Sequence, residues 1–274
     1  MLQEADIVFW IGEDLESFLE TPLESIAANS RHITLMESDE IELLKFREKN
    51  IFGGHDDHDD HGDEHDEHAD EHGDEHADEH GDEHDEHDEH ADEHGDEHDD
   101  HHDGHAHGEH DIHFWLDPEI AKTIVKIVTR ELSEIDPSNA STYESNSTKA
   151  INEIDQLISD TKSKINSDAS YVVFHDAYQY FEKRFGVEVV GALTVNPEVL
   201  PGAKQLSEIR EVIEHENINC LFSEPQFNPS IAETIAQDTG VKAAVIDPLG
   251  AELNPGKDLY FDLIGNIASS FESC

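Results

Sequence analysis

Tyr171-Val172-Val173-Phe174 is followed by a helical pattern over 177–185, a stop at Gly186 and a second apolar run over 187–190. This strand–helix–strand unit decides the fold. Short apolar runs rich in β-branched and aromatic residues read as buried strands. The same alternation continues outward to the C-terminus. Helices are expected over 203–214, 230–239 (ending at Gly240) and 260–271, with strands at 220–222 and 243–246. Strands separated by helices imply a parallel sheet and an α/β lobe. Ligands in such folds sit beyond the C-terminal ends of the strands. His175, Glu224 and Asp247 each fall just past an expected strand and are candidates for one shared site.

Upstream, Asp6-Ile7-Val8-Phe9-Trp10-Ile11-Gly12 reads as another short strand, with a helix around 14–19 and a further strand at 33–36. The chain therefore opens in the middle of an alternating pattern. Asp117 and Pro118 form a helix start, an N-cap followed by proline at the first helical position. That helix carries Ile120, Ile124, Ile127, Val128 and Leu132 on one face, and Asp136-Pro137 ends or restarts it. From 137 to 165 the sparse apolar positions Ile151, Ile154, Leu157, Ile158 and Ile165 describe a long, mostly solvated helix, suited to spacing two lobes.

The 274 residues carry a formal net charge of −51. Residues 55–111 alone hold 29 acidic side chains and no Lys or Arg. The remaining 217 residues, at a net −22, are enough for a real core. So acidic a surface disfavours nucleic acid and anionic lipid and favours cations. No run is long enough to cross a membrane as a helix. The N-terminus has neither a basic nor an apolar signal region, so the expectation is a cytosolic chain or a mature or truncated form of an exported one. Cys220 and Cys274 show no CxxC spacing, which disfavours a cysteine zinc site. By themselves they are compatible with two thiols or with one disulfide.

The acidic block is a near-repeat, Ala69-Asp70-Glu71-His72-Gly73-Asp74-Glu75-His76 and onward, too polar for a solenoid core and expected to be disordered without metal. It contains 18 histidines between His55 and His110. His65, His68, His72, His76, His80, His84, His87, His90, His94 and His98 follow one another at three or four residues, which would stack imidazoles on one helix face. A solvated acidic tail explains the carboxylates but not the imidazoles. Imidazole with carboxylate suits zinc, whereas calcium prefers oxygen alone. His113 and His175 stand in apolar settings at element edges, where a histidine is either a satisfied core residue or a ligand. His32 and His215 lie in surface-like contexts and receive no role.

These residues carry a resemblance. His113-Phe114-Trp115-Leu116-Asp117-Pro118-Glu119, Val173-Phe174-His175-Asp176-Ala177-Tyr178, Thr194-Val195-Asn196-Pro197-Glu198, Phe222-Ser223-Glu224-Pro225-Gln226-Phe227 and Asp247-Pro248-Leu249-Gly250 come in family order. The chain resembles the zinc-binding periplasmic component of bacterial high-affinity zinc uptake ABC transporters, the ZnuA family. The resemblance implies an α/β fold of two parallel-sheet lobes joined by a long backbone helix, with zinc in the cleft. It divides the chain into a partial N-terminal lobe (1–54 and 111–136), the disordered His-rich insert (55–110), the linking helix (137–167) and a C-terminal lobe (168–274). It implies His113 and His175 as metal ligands and Asp247 as a fourth ligand or a near neighbour. It pairs Cys220 with Cys274 in a disulfide, in keeping with a periplasm. It implies a monomer that delivers zinc to an inner-membrane ABC permease without catalysis. The family's usual N-terminal portion, with another histidine ligand, precedes the point where this chain starts, so a truncated N-lobe with an exposed sheet edge is expected.

Three other readings remain at this level: a zinc or nickel storage protein, a manganese-binding relative of the same architecture, and a zinc hydrolase. The last is disfavoured because no HExxH or GxSxG pattern occurs. Zinc should neutralise the block's charge and partly order it. Circular dichroism of the isolated 55–110 peptide is expected to gain structure across a zinc titration; an unchanged spectrum would remove the idea.

Overall fold

The computed structural model describes residues 2–52, 108–196, 199 and 201–274. The repeat histidines from His65 to His98, and the order or disorder expected of their segment, lie outside the described residues. The described residues belong to one compact unit. It contains two parallel sheets.

The smaller sheet pairs β1 (Ile7–Trp10) with β2 (Arg31–Thr34) in parallel, joined by α1 (Glu13–Ser25). The second strand stops at Thr34 and tightens into a 3-10 turn, Leu35–Glu37, earlier than the apolar run 33–36 suggests. α1 continues past the expected end at 19 and carries Pro22 internally. Residues Pro118–Ile135 form α2 as expected, with the Asp117 side chain accepting from Glu119 N at 2.8 Å and Pro118 in the first turn. Leu35, Ile41, Phe114, Ile127 and Tyr180 make the buried core here.

Pro137–Asn139 is a short 3-10 turn, after which α3 (Ala140–Lys164) runs 25 residues, about 37 Å at 1.5 Å per residue. Its buried residues are Ile154 and Thr161, consistent with a spacer. It packs on α2 and on the last helix. Lys122 Nζ donates to Asp155 at 2.7 Å on one side, and Lys164 Nζ to Ser269 at 3.2 Å on the other.

The larger sheet has the order β4-β3-β5-β6, all parallel: β3 (Ser170–His175), β4 (Glu188–Thr194), β5 (Ile218–Ser223) and β6 (Lys242–Val245). The connecting helices are α4 (Gln179–Phe185), α5 (Ala203–His215), α6 (Ser230–Thr239) and the closing α7 (Leu259–Glu272). Along β3, Tyr171 and Val173 pack with Phe181, Phe222 and Phe271 in one core, while Val172 and Phe174 pack with Ile209, Leu221 and Ile235 in another. Side chains alternate across a strand, and both faces are covered, so β3 reads as a continuous apolar run rather than an alternating one.

A strap over residues 41–52 leaves the smaller sheet and reaches the edge of β4. Phe52 N donates to Val190 O at 2.8 Å, and Asn50 accepts from Ala192 N at 2.8 Å. A Cβ at Gly191 would fall 2.8 Å from the Asn50 carbonyl oxygen, so the strap can lie there only against a glycine. Arg47 fastens the strap through Asp176 (2.8 Å) and Glu182 (2.8 and 3.1 Å) and lies over the Phe52 ring. A second tie runs from the cap of α2 to the end of α4, where Arg184 grips Asp117 at 2.6 and 2.8 Å.

Cys220, buried on β5, is bonded to Cys274 behind α7 with Cα atoms 5.9 Å apart. The bond spans 54 residues of sequence, and closing a loop of that length removes about 4 kcal/mol of unfolded-chain entropy. The double variant Cys220→Ala/Cys274→Ala is expected to lose stability of that order in urea unfolding, with most of the loss reproduced by reduction of the parent. A loss below about 1 kcal/mol would show that the closure is not what holds α7.

Candidate metal centre

β3 ends at His175, and the imidazole is delivered to the carboxyl end of the sheet, where strand geometry leaves room for a ligand. His113 arrives from the other side, as the residue before the 3-10 turn Phe114–Leu116 that leads into α2. The two side chains are nearly buried, at 9% and 6% exposure. Their Nε2 atoms lie 3.3 Å apart.

Each ring has a carboxylate behind it. Asp111 Oδ1 is 2.6 Å from His113 Nδ1 and also accepts from His113 N at 2.9 Å. The two Glu224 oxygens lie 2.8 and 2.7 Å from His175 Nδ1. A carboxylate accepts, so in the neutral rings both Nδ1 atoms carry the hydrogen and both Nε2 atoms present lone pairs. Two lone pairs facing each other at 3.3 Å repel unless a cation or a shared proton lies between them. Zinc–nitrogen bonds of roughly 2.0–2.1 Å at a tetrahedral angle place two nitrogens about 3.3 Å apart. The gap therefore matches one zinc ion bound by both rings.

Around the rings is a cavity of about 530 Å³, lined among others by Asp14, Arg47, Ile112, Phe227 and Leu249. Phe227 meets His175 edge-on at 5.5 Å, and Trp115 lies 5.2 Å from His113. Trp115 Nε1 also donates to Pro248 O at 3.0 Å, and Tyr260 donates to Trp115 O at 3.0 Å, so the His113 turn is pinned to the larger sheet's side. Next to His175, burial pushes the Asp176 carboxyl up to about 7, against the opposing pull of Arg47.

Of the three residues the sequence nominated at strand ends, His175 and Glu224 meet. The Asp247 carboxylate accepts from Leu249 N (3.0 Å), Gly250 N (3.0 Å) and Gln226 Nε2 (2.6 Å) on Oδ1 and from Ala251 N (2.7 Å) on Oδ2. It anchors the turn after β6, and its neighbours Pro248 and Leu249 line the cavity instead. Among the described residues no set of three or more His, Cys, Asp or Glu side chains is gathered closely enough to enclose a metal. Neither cysteine is available as a thiolate donor. Sequence reasoning overlooked Asp111, which is completely buried. The usable signal was its place two residues before His113, the spacing at which an Asp side chain reaches the following backbone N–H.

The family profile described as zinc-uptake complex component A, periplasmic, matches residues 1–274. The high-affinity zinc uptake system protein ZnuA of Brucella abortus is 42% identical over 275 residues, covering all of this chain and 78% of that protein. Among solved structures, a crystal structure of ZnuA superposes with a TM-score of 0.66 at 20% identity, over 99% of this chain and 79% of that one. The laminin-binding protein of Streptococcus agalactiae, described as an adhesin with metal-transporting activity, gives 0.66 at 20% identity, over 98% and 82%. These two likenesses show the shared fold.

The turn bonds of the Asp247 carboxylate and the open lone pairs of the imidazoles predict unequal effects. Asp247→Asn is expected to change zinc affinity less than threefold while lowering the thermal midpoint, whereas His175→Ala weakens zinc at least tenfold. Equal losses of affinity in the two variants would place Asp247 on the metal.

Proposed function

We propose, on the premise that the chain belongs to the periplasmic zinc-uptake component A family, that it captures one zinc ion between His113 and His175 and hands it to an inner-membrane ABC importer. Family membership supports the transport role. The observation that carries the site is the 3.3 Å gap between two Nε2 atoms whose rings are each backed by a carboxylate. Imidazole nitrogen favours zinc over manganese or calcium, which prefer oxygen. Asp247, from the turn after β6, is proposed as a support of the cavity wall, held by its bonds to that turn. Zinc is cargo in this reading, so the ligand set has to release it as well as bind it. Two imidazoles and a partly open cavity suit that better than a closed four-ligand cage.

The periplasm fits both the family and the buried disulfide, since such bonds persist in oxidising compartments. Among the described residues no helix is long and apolar enough to cross a membrane. The net negative charge favours divalent cations, and the 18 histidines between His55 and His110 are proposed to collect or sense further zinc.

A chelator-competition titration separates this reading from metal storage. The protein with residues 55–110 deleted is expected to bind one zinc, and His175→Ala in that background to weaken it tenfold or more, about 1.4 kcal/mol. Disappearance of all tight binding with the deletion would make the chain a collector alone. Affinity is also expected to fall steadily as pH is lowered, because protons compete with zinc for the same imidazole nitrogens.

A further inference from the structure

We propose that Tyr178 and Gln179, neighbours at the start of α4, are positioning residues that set both zinc-facing imidazoles at once, Tyr178 through Glu224 onto His175 and Gln179 through Asp111 onto His113. The inference rests on the zinc reading above and extends it to residues that touch no metal.

Tyr178 is completely buried, and its ring stands edge-on to Phe271. Its hydroxyl faces the Glu224 carboxylate. Burial first, and then the Glu224 charge and hydrogen bond, hold the phenol well above its ordinary pKa. Tyr178 Oη and Glu224 Oε2 are both buried and each lacks a hydrogen-bond partner among the described residues, so a small rotation of the phenol joins the two. Without the phenol, Oε2 of this buried carboxylate would have no donor except the imidazole it is meant to orient, and the carboxylate plane would be free to turn.

Gln179 does the equivalent for the other ring. Its Nε2 donates to Asp111 Oδ2 at 3.2 Å and lies 3.4 Å from Asp176 Oδ2. Asp111 spends its other oxygen on His113, and no Lys or Arg pairs with it among the described residues. Asp176 has Arg47. A primary amide is neutral and has two N–H groups, so it can satisfy two buried carboxylates without adding charge. The next residue, Tyr180, donates its hydroxyl to Asp111 O at 2.8 Å and accepts from Leu44 N at 2.8 Å, which fixes the backbone of the same aspartate. One stretch of chain thus determines where both imidazoles point. The Nε2–Nε2 spacing then follows from a rigid turn rather than from two independent loops.

The test uses the full chain carrying Trp10→Phe, so that Trp115, 5.2 Å from His113, reports the cleft in the presence of the histidine-rich segment. Zinc is titrated against a chelator in Tyr178→Phe, Gln179→Met and His175→Ala, with the thermal midpoint of each metal-free variant measured alongside. Tyr178→Phe and Gln179→Met are expected to lose roughly tenfold in affinity, the lower end for residues behind a ligand, with midpoints within a few degrees of the parent. Their cobalt(II) visible bands, taken as differences from His175→Ala to remove other sites, are expected to shift. A structural role alone would lower the midpoint and leave those bands in place. Affinities within twofold of the parent, with His175→Ala still abolishing the signal, overturn the proposal and leave the zinc site standing. An unaffected His175→Ala overturns the zinc site and this inference with it. Should Gln179→Met fail to fold, Tyr178→Phe, which removes a single oxygen, decides the outcome.

Discussion

Two imidazole lone pairs held face to face at 3.3 Å are the constraint around which the rest of the structure is arranged. Such an arrangement is unfavourable by itself, because each Nε2 would gain more from water or from a donor. It persists because the carboxylates of Asp111 and Glu224 take both Nδ1 hydrogens, and because both rings are nearly buried. Packing that opposes a local preference in this way marks a functional site more reliably than the residue types do. Zinc between the two rings, as proposed, would relieve that contact.

Holding the two rings requires parts that are distant in sequence. His175 ends a strand of the larger sheet, while His113 precedes the helix that belongs with the smaller one. The long α3 connects the sheets but does not line the cavity around the two rings, so the distance between the rings depends on shorter ties. Arg184 on Asp117, Trp115 on Pro248 and Arg47 on the Asp176–Glu182 pair all cross between the two halves. Several of these are charged groups in partly buried places. Breaking one partner would leave the other uncompensated, which makes them stronger determinants of geometry than of net stability.

Much of the site was legible in the chain. His175 and Glu224 could be read as strand-end residues of a parallel sheet, and they meet as that rule implies. The N-cap Asp117 was readable from the proline that follows it, but its second task of gripping Arg184 was not, because nothing local links positions 117 and 184. Asp247 also has a task that was not readable: its position past β6 satisfied the strand-end rule, and three backbone N–H groups of the following turn and Gln226 donate to it. Asp111 was overshadowed in sequence by the acidic block beside it, although it is completely buried.

The sequence by itself determined the element order, the parallel α/β class, the cap of α2, the histidines at the two element edges and a charge that draws cations. Those are properties of periodicity, local backbone chemistry and composition, and they act over a few residues or over the chain as a sum. Only the tertiary structure decided which carboxylate stands behind which imidazole, that Asp247 serves a turn, and that Tyr178 and Gln179 reach both halves of the site. The physical reason is that a hydrogen bond is decided within about 3 Å in space, and the partners here are separated by as many as 68 positions along the chain.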